Sequence, residues 1–223
     1  MTGQVKKNRI RYDEGCLAAH ALNVIGDRWA LLVVRELVFA PKRFQMIRAG
    51  LPGITASVLT GRLTQLEQTG VIDHDQRLGI YSLTEMGHGL LPVLEVLCRW
   101  ALTVPGHDPT RSISPSALLI SMGVNLMLER AGWREMRAGF DFGGEAFEMR
   151  LSKGRLHTTA VAIPEAPFVL AGNGNTLAMA VYGARDLPTL IGQGIVSVTG
   201  DVDAAGSFLS LFSLVRQTQQ EAG

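Results

Sequence analysis

From residue 16 to residue 102 the apolar positions keep a helical spacing, interrupted at intervals by turn-forming residues. Leu17, Leu22 and Ile25 are the apolar members of a helix predicted over 16–25. Gly26 suits its C-terminal cap, and Asp27 suits the N-cap of the next segment. That segment, Trp29 to Phe39, places Leu31, Leu32, Val34, Leu37 and Val38 so densely that it should be mostly buried. Pro41-Lys42-Arg43-Phe44 is expected to start a short second helix. Leu51-Pro52-Gly53-Ile54 then turns into a third helix, Thr55 to Thr69, with Thr55 as its cap. Leu59, Leu63 and Leu66 mark the inward side of that helix, so Thr60, Gly61, Thr64, Gln65 and Gln68 fall outward. Gly70 ends it, and Val71 to Thr84 predicts a hairpin. A further helix is expected from Thr84 to about Thr103, with Leu90, Leu91, Leu94, Leu97, Cys98 and Ala101 as its stripe.

The texture changes after Val104-Pro105-Gly106-His107-Asp108-Pro109, which reads as a linker. Ser114 to Ala131 predicts an apolar helix. Arg134 to Phe142, Glu145 to Ser152 and Leu156 to Ile163 predict successive strands, turned at Gly143-Gly144 and Lys153-Gly154. Pro167 to Ala171 is a fourth candidate strand, and Ile195 to Thr199 a last one. Helices are expected at Thr176 to Tyr182, Asp186 to Ile191 and Asp203 to Val215. The predicted organisation is a basic arm at 1–14, one domain at 15–104, a linker at 105–113 and an α+β domain at 114–223.

Three helices followed by a hairpin make a winged helix-turn-helix, in which the third helix enters the DNA major groove. Charge agrees in sign. Residues 1–106 carry 12 Lys and Arg against 9 Asp and Glu, whereas residues 107–223 carry 9 against 11. Only the surface that meets phosphates needs the positive excess. The stripe on the helix after the hairpin is too broad for so small a domain to cover, which predicts a dimer. Cys16 and Cys98 have neither metal nor disulfide spacing. No apolar run approaches the roughly 18 residues of a membrane span. A cytoplasmic chain with reduced thiols is expected, without cofactor, bound metal or membrane.

The first half resembles the HxlR family of bacterial winged-helix regulators, relatives of the MarR group. The residues that carry the likeness are Cys16, Val24-Ile25-Gly26-Asp27-Arg28-Trp29, Arg35-Glu36-Leu37, Arg43-Phe44 and Leu51-Pro52-Gly53-Ile54. Leu59-Thr60-Gly61-Arg62-Leu63, Leu66-Glu67, Gly70, Tyr81-Ser82-Leu83-Thr84 and Gly87 continue it. The resemblance implies a homodimer that binds a pseudo-palindromic operator in double-stranded DNA, most often as a repressor, through its first and last helices as the interface. The wing departs from the family pattern, being short and carrying Asp73 and Asp75. The second half resembles the sterol-carrier-protein-2 domain, in its strand series, Asn175 to Tyr182, Asp186-Leu187, and Val198-Thr199-Gly200-Asp201 before an apolar helix. That likeness implies an antiparallel-rich sheet covered by helices around a tunnel for an apolar small molecule.

Candidate DNA contacts are Thr55, Ser57, Thr60, Thr64 and Gln65 on the third helix, with Gln65 suited to adenine. Arg62 could reach DNA or pair with Glu36 or Glu67. Lys42 and Arg43, at a helix start, and Arg77 in the wing are candidates for phosphates. Cys16 matches a position that some family members use to sense oxidants or electrophiles, while Cys98 reads as an interface residue. Met122, Leu126, Phe142, Phe147, Met179 and Phe208 are candidates to line an apolar ligand site, and equally plain core. Gly172-Asn173-Gly174 imitates a dinucleotide fingerprint but lacks the third glycine, where Leu177 stands. No residues form a recognisable catalytic set, so no enzymatic activity is expected. Two alternatives to a ligand-modulated regulator stay open: a thiol switch at Cys16, and a lipid carrier that uses the winged helix only to dimerise.

Overall fold

A computed structural model describes residues 12–214. The predicted arm lies outside that range except for Tyr12 to Glu14, as does the end of the last predicted helix. In the first half, α1 (Leu17–Ile25) and α2 (Ala30–Leu37) follow the predicted segments, and Asp27 Oδ1 accepts the Trp29 N–H at 2.9 Å between them. Lys42 and Arg43 depart from expectation. They form a short strand, β1 (Lys42–Arg43), and helix α3 (Phe44–Ala49) begins only after it. Lys42 pairs with Tyr81 and Arg43 with Ile80, so the open edge of the wing captures this stretch and the helix starts two residues later.

Helix α4 (Ala56–Gln68) is capped by Thr55, whose Oγ1 accepts the Val58 N–H at 3.3 Å. The wing is β2 (Ile72–Asp75) and β3 (Ile80–Leu83), giving a sheet of order β1-β3-β2. The single helix expected from Thr84 is two, α5 (Glu85–His88) and α6 (Leu91–Ala101). Pro92 has no N–H for the carbonyl of His88, so the ladder breaks there and restarts.

The second half opens with α7 (Pro115–Val124), where Ser114 Oγ accepts the Ala117 N–H at 3.2 Å. The helix stops at Asn125, short of the predicted Ala131. Leu126 instead forms an antiparallel bridge with Phe212, and the Met127 N–H donates to Leu211 O at 2.8 Å. After the short α8 (Leu128–Ala131) come β4 (Met136–Asp141), β5 (Ala146–Ser152) and β6 (Arg155–Val161). Then follow β7 (Phe168–Ala171), α9 (Gly174–Tyr182), α10 (Leu187–Gly192), β8 (Ser197–Gly200) and α11 (Val202–Leu209). The sheet runs β6-β5-β4-β7-β8, antiparallel except between β4 and β7. Gly172-Asn173-Gly174 is a capping turn: Asn173 Oδ1 accepts the Thr176 N–H, and a Cβ on Gly174 would stand 2.0 Å from Ile113 O. Close backbone packing, rather than a phosphate, requires that glycine.

Helix α7 joins the halves. It is apolar all round, and its sides serve different cores. Leu118, Leu119 and Met122 pack with Phe140, Phe147 and Phe208 over the second sheet, while Ile120 is buried among Val33, Leu37 and Leu94 of the first half.

Candidate nucleic-acid interface

Helix α4 separates its faces as the leucine spacing predicts. Leu59, Leu63 and Leu66 are buried, whereas Thr55, Ser57, Thr60 and Thr64 are exposed. These short hydroxyl side chains leave the backbone close to whatever the helix docks against, and can donate or accept at base edges or phosphates. Gln65 does not join them. It is buried, its Nε2 donates to Val24 O at 3.0 Å, and its Oε1 accepts from Arg62, so it fastens α4 to the end of α1. The periodicity that puts Leu66 inward carries Gln65 to the margin of the same face. Arg62 also acts inside the protein, with Nη2 3.0 Å from Asp27 Oδ2; its carboxylate partner is Asp27 rather than Glu36 or Glu67.

Of the predicted phosphate contacts, Arg43 and Arg77 are exposed and Lys42 is not. Arg43 stands at the N-cap position of α3 without a side-chain cap, and its guanidinium extends toward Gly79 of the wing turn. Arg77 sits in that turn, where Asp75 Oδ1 accepts the Arg77 and Leu78 N–H groups at 2.9 and 3.0 Å. Asp75 therefore shapes the wing by capping its turn. Lys42 is 1% exposed and turns away from any groove. Its Nζ lies 2.7 Å from Glu145 Oε1, 3.5 Å from Glu36 Oε2 and 3.2 Å from Ser116 Oγ. Pairing in β1 alternates side chains, sending Lys42 inward and Arg43 out. Sequence reasoning missed Gln45 and Arg48, both exposed on α3. Ile47 as the buried member of that helix was the available signal.

Leu17, Leu22, Val93, Val96, Leu97 and Trp100 stand exposed on α1 and α6, with Trp100 at 63%. Of the rest of the predicted stripe, Leu94 is buried, half-buried Leu90, Leu91 and Cys98 pack against the core that receives Ile120, and Ala101 is exposed.

A family model described as HxlR-like helix-turn-helix matches residues 24–107. An HTH-type transcriptional regulator of Methanothermobacter thermautotrophicus is 34% identical over 98 residues, which span 42% of this chain and 75% of that protein. The HTH-type transcriptional regulator YvaP of Bacillus subtilis is 37% identical over 87 residues, spanning 36% and 80%. The chain belongs to the HxlR-like helix-turn-helix family. Homologues thus make it a transcriptional regulator of the HxlR type, with a mixed α and β fold that begins in a winged helix-turn-helix. A solved structure, quinone-bound YodB from B. subtilis, is 34% identical, covering 38% of this chain and 93% of that one at a TM-score of 0.35. The HxlR-like match ends at residue 107, so α7 and everything after it lie beyond the shared unit.

Outside the HxlR-like helix-turn-helix, the predicted ligand residues separate. Met122, Phe147 and Phe208 have no exposure and Leu126 is buried, all within one packed core, with Phe208 5.9 Å from Phe168 and 5.3 Å from Phe212 between ring centroids. Met179 is exposed on the surface. Phe142 lines a cavity between the two halves. Cys16 is exposed at the start of α1, where the Ala19 and, less strongly, Ala18 N–H groups favour the thiolate and hold its pKa below the ordinary thiol value. Arg9 and Arg11, the nearest arginines before it in the sequence, lie outside the described residues. Burial pushes the half-buried Cys98 thiol the other way. Among the described residues, no group of three His, Cys, Asp or Glu side chains could hold a metal ion, and no single helix is long and apolar enough to cross a membrane.

Proposed function

We propose that this HxlR-like protein is a non-enzymatic, cytoplasmic repressor that binds a pseudo-palindromic operator as a homodimer. The observation that carries the reading is the exposed hydroxyl face of α4, Thr55, Ser57, Thr60 and Thr64, together with the exposed Arg43 and Arg77. Such a face reads base edges while the arginines fix register on the phosphates. Dimerisation would use the exposed apolar side chains of α1 and α6, of which Trp100 is the largest. An apolar small molecule held with the help of the carboxy-terminal half, a sterol-carrier-protein-2-like domain in this reading, would favour one arrangement of the two recognition helices. The coupling must be reciprocal, so DNA weakens the ligand as much as the ligand weakens DNA.

The test is fluorescence anisotropy on the DNA flanking the protein's own gene, across a salt series. Selective binding that weakens steeply with salt supports the proposal. Binding equal to that of scrambled DNA at every salt, there and in a genome-wide selection of bound fragments, refutes it and leaves the carrier alternative.

A second reading rests on Cys16. Its exposure and depressed pKa suit an oxidant or electrophile sensor. A response to oxidant that survives in Cys16→Ser eliminates that role.

A further inference from the structure

The inward turn of Lys42 leaves an unusual wall where the two halves meet. Glu36 is 1% exposed on α2, yet it is a carboxylate. Its Oε1 accepts from Arg35 Nη2 and from Ser114 Oγ, both at 2.7 Å, and Arg35 Nη2 also donates to Gly50 O at 2.9 Å. Its Oε2 accepts no hydrogen bond, with Lys42 Nζ 3.5 Å away. Gly50 is the residue that lets the carboxylate lie there, since a Cβ on it would stand 2.2 Å from Oε2. Glu36 and Gly50 both line a cavity of about 390 Å³, with Met46, Pro52, Ile113 and Phe142 among its apolar walls. That volume falls within the range of about 300–1,000 Å³ typical of small-molecule sites.

We propose that this junction is the effector site, and that it takes an uncharged apolar molecule carrying one O–H or N–H donor, which Glu36 Oε2, covered by Gly50 in this structure, accepts when the carboxylate turns into the cavity. Charge decides against a ligand ion. Arg35 and Lys42 already offset Glu36 and Glu145, so the buried cluster needs a donor rather than another charge. The walls decide for an apolar body. The position decides what binding does: Met46 and Ala49 lie on α3, and Gly50 and Pro52 form the turn into α4, while Phe142 and Glu145 flank the β4–β5 turn of the other half. An occupant therefore sets how the helix-turn-helix sits on a region the HxlR match does not reach. This effect on DNA rests on the regulator reading above; binding itself does not.

Phenol and toluene serve as probes, because they are isosteric and only phenol has a donor. Each is titrated into the full-length ¹⁵N-labelled protein by amide-detected NMR. Phenol is expected to shift the Gly50, Ile113, Phe142 and Gly144 amides saturably, and to bind at least about ten-fold more tightly than toluene. Ala49→Phe should fill the cavity, leave the polar cluster intact and abolish these shifts. Glu36→Gln, if folded by the same spectrum, should narrow the difference between the probes. Shifts that do not saturate, that map to the Phe140 and Phe208 core, that survive Ala49→Phe, or that are equal for the two probes overturn the proposal. Operator binding is measured on the same samples. Selective DNA binding without saturable phenol shifts sinks the effector site alone, and saturable junction shifts without selective DNA binding sink the regulator reading alone.

Discussion

Replacing Lys42 with methionine keeps most of the side-chain length and removes the ammonium that joins the halves. Glu36, with 1% side-chain exposure, and Glu145, with 17%, then face each other across a site with one cation fewer, and Ser116 loses its donor. Breaking a buried ion pair from one side costs about 3–5 kcal/mol, because the remaining charge stays desolvated and unpaired. Arg35 still holds Glu36 Oε1 and Glu145 keeps some contact with water, so the lower end applies, about 3 kcal/mol. For a chain of this size that lowers Tm by roughly 6–12 °C. Thermal denaturation followed by circular dichroism reads the shift, and urea unfolding checks it at constant temperature. Adding Glu145→Gln should recover part of the loss by removing one stranded charge. Well below its Tm the Lys42→Met protein should bind operator with an unchanged slope of log affinity against log salt. A loss below about 1 kcal/mol, as for an exposed lysine, together with a salt slope lower by about one, would refute the reasoning and return Lys42 to the DNA face.

The remaining predictions concern the faces of the winged helix. Arg43→Ala and Arg77→Ala should each weaken operator and non-specific DNA alike and reduce the salt slope by about one, measured by anisotropy. Arg62→Ala should destabilise by about 1–3 kcal/mol in urea unfolding; a cycle with Asp27→Ala should show coupling, and strict additivity of the two would contradict the 3.0 Å pair. Trp100→Glu should shift the protein toward monomer in analytical ultracentrifugation while its circular dichroism stays the same, and an undiminished dimer would move the interface elsewhere. Alkylation by iodoacetamide, followed by mass spectrometry against pH, should reach half its maximal rate below the ordinary thiol pKa at Cys16 and above it at Cys98, since helix-start N–H groups favour one thiolate and burial disfavours the other. The reverse order would contradict both environments.

The elements were readable wherever one period ran without competition. Leu59, Leu63 and Leu66 placed α4 and its outward threonines, and the glycine turns placed β4, β5 and β6 to within a few residues. The errors arose where a distant partner outbid a local preference. Lys42 beside Arg43 looks like a basic pair at a helix start, and only the edge of β3 makes it a strand with one cation in and one out. Gln65 looks like a base reader until the Val24 carbonyl claims it. The apolar run after Ser114 gives no sign of stopping at Asn125, because the chain that stops it, Leu211 and Phe212, is far away in sequence. Phenylalanines that fill a core and phenylalanines that line a tunnel have the same sequence signature, so the packing of Phe147 and Phe208 could not be read in advance.

The double allegiance of α7 has a consequence for synthesis on the ribosome. The first half is complete as a family unit when α6 has emerged, yet the pocket among Val33, Leu37 and Leu94 stays open until Ile120 follows. At about 5–20 residues per second that gap lasts about 1–5 s. During it the nascent chain presents the unfilled groove together with the exposed face of α6, and a neighbouring nascent chain on the same message could meet either. Arrival of α7 closes the groove and leaves the α6 face open, so the order of translation itself would favour the proposed α6 pairing over a swapped one.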